Sequence, residues 1–319
     1  MAVDQDLASL SPYNYIPTEY VAIIFVTLFG ISTALHTGQA IYSRTWWAFP
    51  TIVFAGILEI MGWSARLWSS ISPLLLGPYE MQLTLTILAP TPFVAGNFVI
   101  LGNMIKLLGP QYSRIPPRWY SIIFCSFDLI SLIIQAVGGG LAATAAGQGK
   151  DPTPGGHIML GGIVFQMATI TIYVFCASEF FTRFLKDLPL RPVIRKDESG
   201  GASSDTIACP VITDADQQPE KDDSSIITPK SIRMSAKLKL MTLALTFSTL
   251  CLFIRAVYRT IELTNGWSGR IISTQVYFNV LDGTMIVLAI YTMNFVHPGL
   301  FLARSSSSSP SIAKDAAAV

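Results

Sequence analysis

WYSIIFCSFDLISLIIQAVGGGLAATAA, Trp119 to Ala146, is the stretch whose reading decides the fold. Taken as a helix with about 1.5 Å of rise per residue, it crosses the roughly 30 Å hydrocarbon core of a bilayer. Asp128, Ser131 and Gln135 interrupt it with polar side chains, at spacings of three, four and seven that put them on one helix face. A carboxylate at mid-span costs about 2.5–3.5 kcal/mol on insertion scales, so Asp128 must face protein or a wet cavity rather than lipid. The Gly138-Gly139-Gly140 run that follows lets another backbone approach closely.

Working outward, the rest of the chain repeats the theme. Hydrophobic residues make up 51% and charged residues 13%, against about 25% charged in soluble domains, and the mean hydropathy is +0.51. Apolar runs cover Tyr20–Tyr42, Trp47–Ser69, about Gln82–Leu107, the opening stretch, about His157–Phe184, about Leu238–Arg259 and about Ile272–Val296. The third is punctured by Pro90 and Pro92, which free carbonyls and kink a helix. The expected fold is all-α, with seven transmembrane helices. The first run follows acidic residues and no Lys or Arg, so it reads as a retained span rather than a cleaved signal peptide.

Orientation follows from the basic residues. With the N-terminus outside, the inward segments hold Arg44, Lys106, Arg114, Arg118, the group from Arg183 to Lys239, Arg304 and Lys314. The outward segments hold Lys150 and Arg270. The expected organisation is an extracellular segment 1–19, spans one to five within 20–184, a disordered cytosolic linker 185–237, spans six and seven within 238–296, and a cytosolic tail 297–319. Linker and tail are rich in serine, which offers phosphorylation sites. No repeat of fixed length and no N-x-Ser/Thr acceptor is found.

The polar side chains within spans are the candidate site. Glu59, Trp63 and Arg66 share one face of span two. Arg255, Arg259 and Glu262 share one face of span six, and Gln275, Asn279 and Asp282 one face of span seven. Span one adds His36 and Gln39, span three Asn97 and span five Gln166. The candidate substrate-binding residues are therefore Glu59, Arg66, Asp128, Gln135, Gln166, Arg255, Arg259, Glu262 and Asp282. Either they form a polar, outward-facing cavity for a lipid headgroup, or they are interhelical ion pairs that fix the bundle. Asp128 is expected to pair with Arg255.

Other chemistries find little in the sequence. The three histidines are far apart and form no H-x-x-x-H pair, so neither a metal site nor any cofactor is expected. The glycines before Lys150 miss the P-loop spacing and no G-x-S-x-G element occurs, which argues against a nucleotide-driven motor or a serine hydrolase. Four cysteines, three of them in apolar runs, suggest reduced thiols. A net charge of +1 gives no sign of a nucleic-acid partner.

The motifs EIMGWSAR (Glu59 to Arg66), LAPTPFVAG (Leu88 to Gly96), FDLISLIIQAVGGG (Phe127 to Gly140), GGIVFQ (Gly161 to Gln166), IRAVYRTIE (Ile254 to Glu262), Asp282 and HPG (His297 to Gly299) occur in order along the chain. In that order they resemble the fungal RTA-like proteins, also called the lipid-translocating exporter family, across nearly all of the chain outside linker and tails. The chain departs from the family pattern at Gln275, Val99 and Asn103, where a Glu, a Tyr and a basic residue are expected. The resemblance implies a seven-span fungal membrane protein, placed in the plasma membrane. It implies movement of amphiphilic lipids such as sphingoid bases, or resistance to toxic lipid-like compounds, without ATP hydrolysis and without enzymatic activity. Membrane lipids or lipid-like amphiphiles are then the partners. A seven-span receptor or sensor for a lipid has the same topology and stays open as the alternative.

Overall fold

The computed structural model describes residues 10–190, 235–266 and 269–301. Most of the expected linker, the tail beyond Phe301, the first nine residues and Cys209 lie outside them. Among the described residues there are seven helices long and apolar enough to cross a membrane, and no strand. They are α1 (Glu19–Ser43), α2 (Trp46–Ile71), α3 (Leu76–Leu108), α4 (Pro117–Gly147), α5 (Thr153–Leu185), α6 (Ala236–Thr264) and α7 (Gln275–Phe301). The all-α expectation with seven spans holds.

Sequence neighbours pack in series and α7 closes back on α1, so the helices form a ring. The span with the largest buried share is α3, which touches α2, α4 and α6. Three departures from regular α geometry shape the interior. Pro90 and Pro92 split α3 into Leu76–Leu88 and Pro90–Leu108, as the sequence anticipates, and the span begins earlier than its hydropathy alone suggests. A π-turn at Phe49–Val53 opens the inner part of α2. A second, Asn279–Thr284, lies within α7 and contains Asp282.

Helices α4 and α5 make the closest seam. A Cβ placed on Gly138 would lie 2.3 Å from the Met159 nitrogen, and one on Gly155 would lie 2.4 Å from the Ala142 nitrogen. Only hydrogen fits there, which is how small residues let membrane helices gain van der Waals contact. Of the Gly138–Gly140 run, Gly138 alone serves this purpose; around Gly140 nothing lies within 4 Å.

The N-terminal segment does not simply hang from α1. Tyr13 is buried, and its hydroxyl donates to Gln82 Oε1 at 2.7 Å and accepts from Ser69 Oγ at 3.1 Å, tying the segment to α2 and α3. At the opposite end the chain after α5 turns onto the Pro110–Tyr112 turn, where Leu190 N donates to the Gln111 carbonyl at 2.9 Å.

Candidate functional site

Arg255, Arg259 and Glu262 sit on one face of α6 because their spacing completes two helical turns. That face meets Asp282 of α7. Arg259 grips Asp282 with both edges of its fork, Nε to Oδ1 at 3.0 Å and Nη2 to Oδ2 at 2.9 Å. Its Nη1 donates to Glu262 Oε2 at 2.8 Å, and Nη2 also donates to Thr86 Oγ1 at 3.0 Å. Glu262 takes a further hydrogen bond, 2.8 Å, from Tyr258. Such bidentate, charge-assisted geometry is the strong form of an ion pair.

Arg255 does not reach Asp128. Its Nε lies 2.7 Å from Asp282 Oδ1, a charge contact without hydrogen-bond angles, and its Nη2 donates to the Thr86 carbonyl. That carbonyl is free for a covalent reason. In an α-helix it would accept from residue 90, and proline has no N–H to give. The break in α3 thus supplies an acceptor to an arginine three spans away.

Asp128 belongs to a second network, and the expected pairing with Arg255 is corrected. Its Oδ1 accepts from Gln166 Nε2 at 3.1 Å, while Oδ2 has no partner. Gln166 also donates to Thr91 Oγ1 at 3.2 Å. Gln135 donates to Gln166 Oε1 at 3.1 Å and to Ser131 Oγ at 2.7 Å, and Ser131 donates to the Gly162 carbonyl at 2.7 Å. Asp128 does find its partner on another span, but the partner is a neutral amide. Asp282 has already engaged both α6 arginines.

Glu59 stands apart from both. It is 1% exposed, and neither carboxylate oxygen has a hydrogen-bond partner. The charges it feels are those of Asp282, Arg255 and Arg259. These two arginines are matched one for one by Asp282 and Glu262, which leaves Glu59 as a surplus carboxyl.

Arg66 is the third centre. Its Nη2 donates to the Tyr15 hydroxyl at 2.9 Å and its Nη1 to Gln82 Oε1 at 3.3 Å. Its guanidinium carbon lies 4.6 Å from the Phe278 ring centroid, 5.4 Å from that of Tyr13 and 5.7 Å from those of Tyr15 and Trp63. Among the described residues no carboxylate bridges it. An aromatic cage replaces the counter-ion, through the negative faces of the rings.

All nine candidate residues are therefore buried, eight of them in three adjoining centres and Glu59 by itself, rather than in one open cavity. The first two are separated by a void of about 10 Å³ lined by Gln135, Gln166, Arg255 and Arg259, room for about one water. In this conformation no headgroup fits among them. The sequence reading missed Thr86, Tyr258, Gln82, Tyr13 and Tyr15; of these, only Thr86 carries a signal, a proline four residues on. The remaining span polars serve as bundle contacts. His36 bonds the Ile290 carbonyl and Gln39 the Asn294 carbonyl, joining α1 to α7, while Asn97 bonds Ser248 across α3 and α6. Cys125, Cys176 and Cys251 are free thiols. Among the described residues no group of His, Cys, Asp and Glu could hold a metal ion.

Fold and site together define a polytopic α-helical membrane protein with a charged core buried inside a seven-helix ring. More particularly, the chain belongs to the RTA1-like family, whose model, described as "RTA1 like protein", matches residues 52–305. It is 28% identical over 299 residues to the "Sphingoid long-chain base transporter RSB1" of Saccharomyces cerevisiae strain JAY291, covering 92% of this chain and 75% of that one. It is 23% identical over 328 residues to "Protein RTM1" of Saccharomyces cerevisiae, covering 91% and 92%. To "Protein RTA1" of Saccharomyces cerevisiae strain S288c it is 24% identical over 244 residues, covering 76% and 63%. No solved structure matches the chain.

Proposed function

We propose that this chain moves cationic single-chain amphiphiles, sphingoid bases among them, between or out of membrane leaflets. It would act as a transporter rather than an enzyme and without nucleotide hydrolysis. The observation that carries the reading is the pair of carboxyl groups buried at mid-bundle that no Lys or Arg among the described residues bridges, Glu59 and Asp128. An ammonium headgroup is the ligand such groups are short of, since charge-assisted hydrogen bonds are strongest where water is scarce. Similarity to a chain named as a sphingoid long-chain base transporter supports the same substrate class.

The closed packing around the three centres makes this state an occluded one. Transport requires α3, α6 and α7 to part, so that the headgroup exchanges places with internal contacts. The distribution of Lys and Arg supports an outside N-terminus and a cytosolic C-terminus, in the plasma membrane. The second reading, a lipid sensor, is favoured by one feature: the core has room for about one water and no more.

Purified protein in phosphatidylcholine liposomes, assayed with a fluorescent sphingoid base, separates the two. Translocation without any added protein is the expected result. Absence of translocation, together with amphiphile-dependent recruitment of a soluble partner, overturns the transporter in favour of the sensor.

A further inference from the structure

Outside the charged core α3 borders a groove. The first half of α3 stands off from α4, whereas its second half packs firmly on it. The change comes at Ala89–Pro90, where the proline break redirects the helix. The space left between them has a volume of about 410 Å³, within the roughly 300–1,000 Å³ of small-molecule sites. On α4 its wall is a strip of small residues that includes Gly139, Gly140 and Ala143; on α3 it is Leu83, Ile87 and Leu88. From Ala146 at the loop end to Gln135 at the inner end is eleven residues, or roughly 16 Å of helix. That is about half the hydrocarbon thickness, the depth of one leaflet.

Two polar groups mark the ends. Glu80 lies one turn inside the start of α3, lines the groove, and makes no ion pair or hydrogen bond among the described residues. Gln135 closes the inner end and belongs to the Asp128 network, so the groove connects to the buried carboxylate through two side chains, Gln135 and Gln166. An unpaired carboxylate beside apolar surface of leaflet depth is complementary to one kind of molecule, a cation carrying a single alkyl chain.

We infer that the α3–α4 groove is the membrane-side entry site for a single-chain cationic amphiphile, with its ammonium on Glu80 and its chain lying along the Gly139–Gly140 strip towards Gln135. The inference rests on the transporter reading and names where its substrate first binds. Glu80 is not among the residues suggested by the sequence, because the hydropathy of the third span starts only at about Gln82, and the sequence reads Gly139 and Gly140 as a seat for another helix backbone.

The test uses full-length protein in phosphatidylcholine nanodiscs and liposomes, with radiolabelled sphinganine and its N-acetylated counterpart, which keeps the chain and loses the charge. Glu80→Gln should weaken sphinganine binding about tenfold, the loss of one charge-assisted contact, and leave N-acetylsphinganine unchanged. Gly140→Phe should weaken both at least tenfold. A Cβ there meets no atom within 4 Å and Gly140 lines the groove, so the added ring occupies it, and unchanged thermal unfolding checks that the bundle is not strained. Sphinganine binding and transport at wild-type level in Gly140→Phe would overturn the groove while leaving the transporter reading intact. Failure of the wild type to bind or transport sphinganine would overturn both. Phosphatidylcholine retained in the wild type, lost in Gly140→Phe and not displaced by sphinganine would also overturn the assignment, making the groove a bound-lipid seat.

Discussion

Replacing Asp282 with asparagine removes one negative charge from a place where two arginines depend on it. Arg259 would lose a bidentate partner at 2.9 and 3.0 Å, and Arg255 a charge contact at 2.7 Å. Breaking a buried pair costs about 3–5 kcal/mol, because the remaining charge stays desolvated. Here Arg255 is left without a carboxylate and Arg259 keeps only Glu262, so the upper end, about 5 kcal/mol, is expected. Arg259→Gln should cost about 3–4 kcal/mol, since Arg255 still neutralises Asp282 while Glu262 keeps only its hydrogen bond from Tyr258. The double variant should be less damaged than the sum by at least about 2 kcal/mol, a coupling in the range seen for residues of one network. Asp128→Asn provides the contrast. The hydrogen bond from Gln166 survives on an amide oxygen and no cation is left alone, so the cost should stay within about 1 kcal/mol. Reversible unfolding in mixed micelles, read by tryptophan fluorescence, measures all four. An additive cycle at Arg259 and Asp282, or an Asp128→Asn penalty equal to that of Asp282→Asn, would refute the assignment of partners.

Gly138→Val should prevent proper folding, because its Cβ would meet the Met159 backbone at 2.3 Å, while Gly140→Val should be tolerated; monodispersity in detergent compares the two. Burial pushes the Tyr13 phenol up to about 12, against about 10 in the unfolded chain, which ionises first as pH rises. Its contribution should be constant below pH 10 and fall by roughly 2–3 kcal/mol between pH 10 and 12. In the difference between wild type and Tyr13→Phe that fall should be visible, and a flat difference would count against the burial argument. A protease-cleavable tag before Tyr13 should be accessible on intact cells and one between residues 196 and 230 should not; the reverse pattern would invert the orientation.

Hydropathy was enough to count the spans, because a bilayer demands about twenty apolar residues per helix whatever the tertiary packing. It was also enough to find the charged faces of α2, α4 and α6, where regular helical spacing holds. Partner choice was not legible. Asp128 and Asp282 both look like counter-ions for α6, and the π-turn that aims Asp282 at Arg255 and Arg259 leaves no mark that periodicity detects. The Arg66 cage was hidden for another reason. Two of its rings, Tyr13 and Tyr15, come from a segment that composition assigns to a free tail. Glu80 fell outside the apolar window altogether, since charge lowers hydropathy where a binding residue is most informative.

The π-turn at Asn279–Thr284 gives α7 a residue to spare. In an unbroken α-helix, deleting one position rotates everything on one side by about 100° relative to the other. Inside α7 a deletion could instead be absorbed by converting the wide turn to an ordinary one. The half from Met285 onward, with its contacts to α1, would then keep its register. The half before it would keep its place too, with Phe278 still over Arg66 and Arg259. Length variation at this point of the helix therefore changes the aim of Asp282 within the turn while sparing both the aromatic lid over two arginines and the seam that closes the ring.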